Sequence, residues 1–194
     1  MDEHFLFPAH RARSLNNATR LQDQVSEQDL ARLLRLRGDE DVADLGSGTG
    51  FYTDRIASLT SGTVYAVEVQ PQMNVAYRER GLPPNVRLVL GDMAALSLPP
   101  NSVDVACTIA TWHEVQGRLD LPGLLEVLRP QGRLVVIDWR RDTESLGSGP
   151  PLNIRSTKED VASALAPFFA EVSAENLGRF MFSVVARREP PTVE

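Results

Sequence analysis

Short apolar runs alternate with amphipathic stretches along most of the chain. The runs are rich in valine, isoleucine and leucine, as expected of strands buried on both faces. Between them, apolar residues recur at helical spacing. This pattern predicts strands at 41–45, 63–69, 86–90, 103–110 and 133–139, and helices at about 26–38, 51–60, 71–81, 119–129 and 157–166. Strands that alternate with helices predict an α/β domain.

The helix ends carry recognisable signals. Ser26-x-x-Asp29 and Thr157-x-x-Asp160 have the spacing of capping boxes, and Gly38 is expected to stop the first of these helices. Pro130 is expected to end the helix that begins near residue 119. Two final strands, at 170–174 and 180–187, have no helix between them, which predicts an antiparallel pair.

Length and composition indicate one soluble domain. The 194 residues suffice for a single core, with an N-terminal arm at 1–24, a domain at 25–187 and a disordered tail at 188–194. A net charge of −6 argues against binding to nucleic acid or to an anionic membrane. No apolar stretch reaches the ~18 residues of a membrane span, so a cytoplasmic location is expected. The single cysteine, Cys107, lies in an apolar run, so neither a disulfide nor a cysteine-rich metal site is expected.

The segment 41–50, DVADLGSGTG, is the centre of the pattern. A short strand leads into Gly46, Gly48 and Gly50, and a helix is predicted from Phe51. Glycine permits positive φ and lets a ligand approach the backbone, and the helix N-terminus offers free N–H groups. The spacing is GxGxG, because Phe51 stands where a GxGxxG dinucleotide motif places its later glycine.

An acidic residue follows at the distance expected for ribose binding. Glu68 ends the next predicted strand, 22 residues after Gly46. A carboxylate about 20 residues beyond such a glycine turn can accept hydrogen bonds from ribose hydroxyls. The turn and the acid together predict a ligand that contains a nucleoside.

These motifs resemble those of the class I S-adenosylmethionine (SAM)-dependent methyltransferases. Four pieces occur in the family's order between residues 25 and 187: DLGSGTG, AVEVQPQM (66–73), GDMAALSLPPNSVD (91–104) and LRPQGRLVVIDW (128–139). The resemblance implies a Rossmann-like, doubly wound, seven-stranded and mainly parallel sheet with a C-terminal antiparallel hairpin strand. It also implies SAM as the cofactor.

The resemblance assigns roles to the strand ends. It implies that the turn backbone holds the methionine moiety, with Asp44 near its ammonium, and that Glu68 holds the ribose. Asp92 would accept from the adenine amine beside the Met93 backbone, although a turn-capping aspartate is the alternative. The full cofactor set implied is Asp44, Gly46, Ser47, Gly48, Thr49, Gly50, Glu68, Val69, Asp92, Met93 and Ala110.

The loop after the fourth strand is expected to face the transferred methyl group, because ligands bind at the carboxyl ends of strands. His113 is the candidate general base, since its ordinary pKa of about 6.5 suits proton abstraction near neutrality. A structural, hydrogen-bonded histidine is the alternative. Trp112 is either core or pocket wall, and Glu114 either faces the site or caps a helix.

Two less patterned segments are candidates for acceptor binding. In the resembled family, segments before the first core helix often fold over the ligands, so residues 1–24 are either a lid, with His10 and Arg13 near the substrate, or a frayed arm. The loop at 139–151 carries Arg140 and Arg141, which either attract an anionic substrate or are simply solvated.

The rival functions are less well supported by the residues. A short-chain dehydrogenase using NAD(P) needs Tyr-x-x-x-Lys, but the only lysine is Lys158 and Ile154 stands four residues before it. Nucleic-acid and arsenite methyltransferases would require motifs or cysteines that the chain lacks. A non-catalytic SAM-binding regulator stays open. We therefore expect a SAM-dependent methyltransferase with a small-molecule acceptor and no resident metal.

Overall fold

The computed structural model describes residues 6–115, 117–143 and 149–189. Within these ranges the strands are β1 Val42–Leu45, β2 Val64–Glu68, β3 Val86–Leu90, β4 Val103–Ile109, β5 Leu128–Trp139, β6 Glu171–Leu177 and β7 Met181–Arg187. They form one sheet in the order β3-β2-β1-β4-β5-β7-β6.

The strand order places a crevice at the centre of the sheet. β1 pairs in parallel with both β2 and β4, so the chain winds outward in opposite directions from this point. β7 pairs antiparallel with both β5 and β6. The doubly wound, mainly parallel sheet with a terminal antiparallel hairpin is confirmed. In such sheets, the carboxyl ends of the strands at the reversal point form the ligand crevice.

Helices cover both faces of the sheet. They are α1 Arg20–Asp23, α2 Glu27–Leu34, α3 Phe51–Ser58, α4 Pro71–Arg80, α5 Trp112–Val115, α6 Leu121–Val127 and α7 Lys158–Leu165, with 3-10 turns at Ala9–Asn16 and Leu152–Ile154. Alternate residues of β1 point to opposite cores: Val42 packs with α2 and α3, whereas Ala43 and Leu45 pack with α6 and α7.

Several boundaries differ from the sequence prediction because distant residues set them. α2 ends at Leu34 rather than at Gly38: Arg35 takes a left-handed φ of 49°, and the guanidinium of Arg133 donates to the carbonyls of Leu34 and Arg35. α6 stops at Val127, and β5 begins five residues earlier than predicted, with Leu128 paired to Val103.

The predicted caps are present in different forms. Thr157 and Asp160 make a complete reciprocal capping box. Ser26 accepts from the backbone N–H of Asp29 at 3.0 Å, but its hydroxyl donates to the Asp29 carboxylate, so the second bond of the box is not made to the backbone. In the predicted tail, residues 190–194 lie outside the described residues, and the N–H of Arg188 donates to Gly132 at 2.8 Å.

Among the described residues, no helix is long and apolar enough to cross a membrane. The same residues contain no group of three or more histidine, cysteine or acidic side chains arranged to hold a metal ion.

Candidate active site

A cavity of about 740 Å³ lies at the carboxyl ends of β1, β2, β4 and β5. Its floor is formed by the glycine turn and by the residues that follow the strands. Its remaining walls come from segments outside the sheet. These include residues of the N-terminal segment, among them Leu6, Phe7, Pro8, Arg11, Leu15 and Arg20, and Gly149, Pro150 and Pro151.

The glycine turn requires glycine for packing as well as for conformation. Gly46, Gly48 and Gly50 all have left-handed φ values, of 81°, 55° and 80°. A Cβ on Gly46 would lie 2.3 Å from Cγ2 of Thr111, and one on Gly50 would lie 2.1 Å from Cζ of Tyr77. Gly50 itself does not line the cavity; it is the N-cap residue of α3, and its lack of a Cβ leaves room for the Tyr77 ring.

Glu68 is fixed at the tip of β2 by two backbone donors. Its Oε2 accepts from the N–H of Gly48 at 2.9 Å, and its Oε1 accepts from the N–H of Gln70 at 2.8 Å. Burial raises the pKa of this carboxyl, although the backbone donors oppose the shift. The carboxylate is therefore tied to the glycine turn and lines the cavity.

The turn also presents buried polar groups to the cavity. The hydroxyl of Ser47 is buried and has no hydrogen-bond partner among the described residues. Such a group costs free energy unless a ligand or water satisfies it. Thr49 is tied to the N-terminal segment, because its hydroxyl donates to the side-chain oxygen of Asn16 at 2.8 Å.

Asp44 lies beneath the turn and is almost completely buried. It accepts from the hydroxyl of Thr53 at 2.6 Å. Burial raises its pKa to about 6, and the nearby charge of Glu68 adds to the shift. A carboxylate in this environment favours a cationic ligand group over a neutral one.

The other predicted cofactor residues also line the cavity. Asp92 is exposed and its Oδ1 accepts from the N–H of Ala94 at 2.8 Å, while the side chain of Met93 is buried. Val69 is 42% exposed at the rim. Ala110 follows β4 with a left-handed φ of 55°, a strained conformation for a residue other than glycine, which is typical of functional sites.

His113 and Asp138 meet across the ends of β4 and β5. Nδ1 of His113 lies 2.8 Å from Oδ1 of Asp138, and the backbone N–H of His113 donates to Oδ2 at 2.8 Å. Both side chains are buried. Burial lowers the pKa of His113, but the Asp138 charge and hydrogen bond outweigh it and the net pKa is raised. The sequence pattern does not single out Asp138, although a polar residue near the end of an apolar strand is the signal that marks it.

Phe7 ties the N-terminal segment across the cavity. Its N–H donates to Oε1 of Glu114 at 3.3 Å, and its carbonyl accepts from the side-chain amide of Gln70 at 3.0 Å. These partners follow β4 and β2, so the segment spans the crevice. Burial raises the pKa of Glu114 to about 7. Glu114 faces the cavity.

Four residues proposed for substrate binding are not brought to the cavity surface. Trp112 is buried in the core, and His10 and Arg13 are exposed outside the lining. Arg140 is engaged by the carboxylate of Asp142 through two hydrogen bonds of 2.8 Å. Arg11, Arg20 and Arg118 line the cavity instead. Nothing in their sequence spacing separates these arginines from the others.

Arg155 anchors the wall formed by residues 149–151. This buried guanidinium donates to the carbonyls of Pro150, Arg140 and Thr143 at 2.8, 3.2 and 3.1 Å. It also lies 5.3 Å from the ring centroid of Trp139, which lines the cavity. The sequence shows Arg155 only as an arginine in a loop, because its partners lie at several separate positions.

Comparisons with known proteins give a consistent result. The family described as "Methyltransferase domain" matches residues 42–132. An uncharacterized methyltransferase of Mycobacterium tuberculosis is 39% identical over 106 residues, which cover 55% of this chain and 42% of that protein. The ubiquinone/menaquinone biosynthesis C-methyltransferase UbiE of Azotobacter vinelandii is 32% identical over 112 residues, which cover 54% of this chain and 44% of that protein. The matches thus span less than half the length of these curated relatives.

A solved structure matches nearly the whole chain. The crystal structure of a SAM-dependent methyltransferase from Aquifex aeolicus has a TM-score of 0.84 and 27% identity. The match covers 94% of this chain and 99% of that one. The likeness therefore extends well beyond residues 42–132.

Proposed function

We propose that this chain is a class I SAM-dependent methyltransferase that transfers the methyl group of SAM to a small-molecule acceptor, on the support of its similarity to the methyltransferase domain and to SAM-dependent methyltransferases. When bound, SAM supplies an electrophilic methyl group on a sulfonium, so the protein has to provide binding, alignment and exclusion of water. One observation carries the proposal: the Glu68 carboxylate is fixed beside a glycine turn at the reversal point of the sheet.

In this proposal the residues around the turn hold the cofactor. Glu68 accepts from the ribose hydroxyls and Asp44 stabilises the cationic ammonium. The unpaired hydroxyl of Ser47 supports a polar ligand at this point, because it lines the cavity and finds no partner among the described residues. Asp92 and Met93 are proposed to hold the adenine at the opposite rim.

The N-terminal segment is proposed to act as a lid. Its support is a pair of hydrogen bonds that join the two sides of the crevice: the N–H of Phe7 donates to Glu114, and the side-chain amide of Gln70 donates to the carbonyl of Phe7. A closed lid excludes water, which favours displacement at the methyl carbon over side reactions. His113 is proposed as the base that accepts a proton from the acceptor, since it lines the cavity beside Glu114.

The first experiment is a calorimetric titration of the protein with SAM, S-adenosylhomocysteine and NAD. SAM and S-adenosylhomocysteine are expected to bind and NAD is not. Glu68→Gln removes a charge-assisted hydrogen bond worth about 1.5–3 kcal/mol, so SAM affinity should fall by roughly 10- to 100-fold. Glu126→Gln is the matched control, because Glu126 is exposed on α6 away from the cavity.

The outcomes separate the alternatives. Binding of NAD without SAM would overturn the proposed function. Binding of SAM with equal affinity to both variants would overturn the role of Glu68. With SAM bound, formation of S-adenosylhomocysteine in the presence of hydroxyl, amine and thiol compounds then tests whether the protein is catalytic, and a non-catalytic SAM-binding regulator would form none.

A further inference from the structure

Both carboxylate oxygens of the buried Asp138 have hydrogen-bond partners. Its side chain is buried at the end of β5, and Oδ1 accepts from the backbone N–H of Trp139 at 2.6 Å as well as contacting Nδ1 of His113. Its other oxygen accepts from the backbone N–H of His113. A buried carboxylate is costly unless its oxygens are paired, and these donors fix its orientation.

This orientation determines the tautomer of His113. The carboxylate at 2.8 Å requires a proton on Nδ1, so Nε2 carries the lone pair when the ring is neutral. Among the residues that the structure describes, the charged groups that act on the ring include Asp138 on β5, Glu114 on the same helix and Arg155 before α7. The negative charges of Asp138 and Glu114 favour the protonated ring, and the positive charge of Arg155 disfavours it.

We propose that Asp138 is a positioning residue that holds His113 in the Nδ1–H tautomer, so that Nε2 deprotonates an acceptor whose nucleophilic atom carries a proton. This inference rests on the proposed function and narrows its substrate class. Thioethers, tertiary amines and carboxylates need no base at neutral pH. The acceptor predicted here carries a weakly acidic hydroxyl.

The walls near the dyad indicate the body of such an acceptor. Phe7, Val115, Trp139, Pro150 and Pro151 line the cavity together with His113. Apolar side chains that share a cavity with one base suit an acceptor with an apolar body and a single hydroxyl, such as a phenol or an enol.

In the proposed step, the acceptor loses one proton and gains one methyl group. The acceptor hydroxyl loses its proton to Nε2 of His113, and the resulting imidazolium is stabilised by the Asp138 carboxylate. The acceptor oxygen forms a bond to the methyl carbon while the C–S bond breaks, and the electron pair of that bond stays on sulfur. The proton then passes from His113 to solvent, which restores the neutral ring.

The test is nitrogen NMR of the histidine rings in the full protein with S-adenosylhomocysteine present. The chain has only His4, His10 and His113, and His113→Gln assigns the relevant signal. Wild-type His113 is expected to show a protonated Nδ1 and an Nε2 that carries no proton. In Asp138→Asn the titration midpoint should shift downward and the Nδ1–H tautomer should lose its predominance, while Asp138→Glu should restore part of the shift. Asp39→Asn, an exposed acid before β1, is the matched control.

Each result is decisive. An Nε2–H tautomer in the wild type would overturn the proposal, even if Asp138→Asn failed to fold. An unchanged midpoint and tautomer in a folded Asp138→Asn would overturn it as well. Failure of the wild type to bind S-adenosylhomocysteine in a parallel titration would instead reject the proposed function, so the two failures are distinguishable.

Discussion

Gly50→Ala tests whether the last glycine of the turn is required by packing against Tyr77. Gly50 has a φ of 80°, and an added Cβ would lie 2.1–2.3 Å from three carbons of the Tyr77 ring. Tyr77 is fully buried, and its hydroxyl donates to Oδ1 of Asp54 at 2.7 Å. A shift of the ring away from an added Cβ would therefore disturb buried packing and this hydrogen bond.

Three free-energy costs add up to the expected loss of stability in Gly50→Ala. A left-handed conformation costs an alanine about 1–2 kcal/mol. Overpacking a buried site costs about 1–3 kcal/mol. Displacement of the ring loses a hydrogen bond worth about 0.5–1.5 kcal/mol. The expected destabilisation is thus roughly 3–6 kcal/mol, a large part of the stability of an ordinary domain.

Gly178→Ala separates the steric cost from the backbone cost. Gly178 also has a left-handed φ, of 57°, but no atom lies within 4 Å of its added Cβ. Its loss should be only about 1–2 kcal/mol. The assay is urea unfolding of both variants and the wild type, monitored by circular dichroism, which gives the free energy of unfolding of each. If Gly50→Ala is no less stable than Gly178→Ala, the packing argument is wrong.

Three further predictions concern charge and the loop wall. Because burial raises the pKa of Glu114 to about 7, its ionisation destabilises the fold as pH rises from about 4.5 through 7; Glu114→Gln should therefore be more stable than the wild type at pH 8, by up to about 3 kcal/mol, and not at pH 4.5, as measured by urea midpoints. The raised pKa of His113 contributes stability that is present below about pH 6.5 and lost as pH rises through the raised value, so His113→Gln should flatten this part of the pH–stability curve. Arg155→Lys replaces the planar guanidinium, whose separate nitrogens reach different carbonyls, by a single ammonium nitrogen that does not reproduce this geometry. Amide hydrogen exchange at residue 149 and in 152–155 should therefore accelerate while α3 is unaffected, and equal exchange would contradict the anchoring role.

Glycine, proline and apolar patterns in the sequence predicted the part of the fold from the glycine turn to β3 well. As expected, α4 begins at Pro71 and ends just before Gly81, and β3 occupies the predicted residues 86–90. The glycine turn and Glu68 also meet as their spacing predicts. These features depend on neighbouring residues or on parallel pairing of consecutive strands, which the apolar pattern makes visible.

Features that depend on distant partners were not predictable in the same way. The sequence predicts that a helix ends at Pro130, but β5 already begins at Leu128, two residues before Pro130, because Leu128 pairs with Val103. The link between His113 and Asp138 requires the β4–β5 register, which no local pattern supplies. Trp112 was ambiguous because an aromatic residue at a strand end suits both a wall and a core.

The walls of the cavity have a consequence for how this chain could diversify. The match to the methyltransferase domain spans 42–132, which contains the glycine turn and Glu68, whereas residues 6–24 and 149–151 supply walls from outside it. The cavity therefore combines residues inside the range shared with the methyltransferase domain and wall residues outside that range. Under the proposed function, grafting these segments between relatives would alter the shape of the cavity and leave the glycine turn and Glu68 intact, so that acceptor preference would change while cofactor binding is kept.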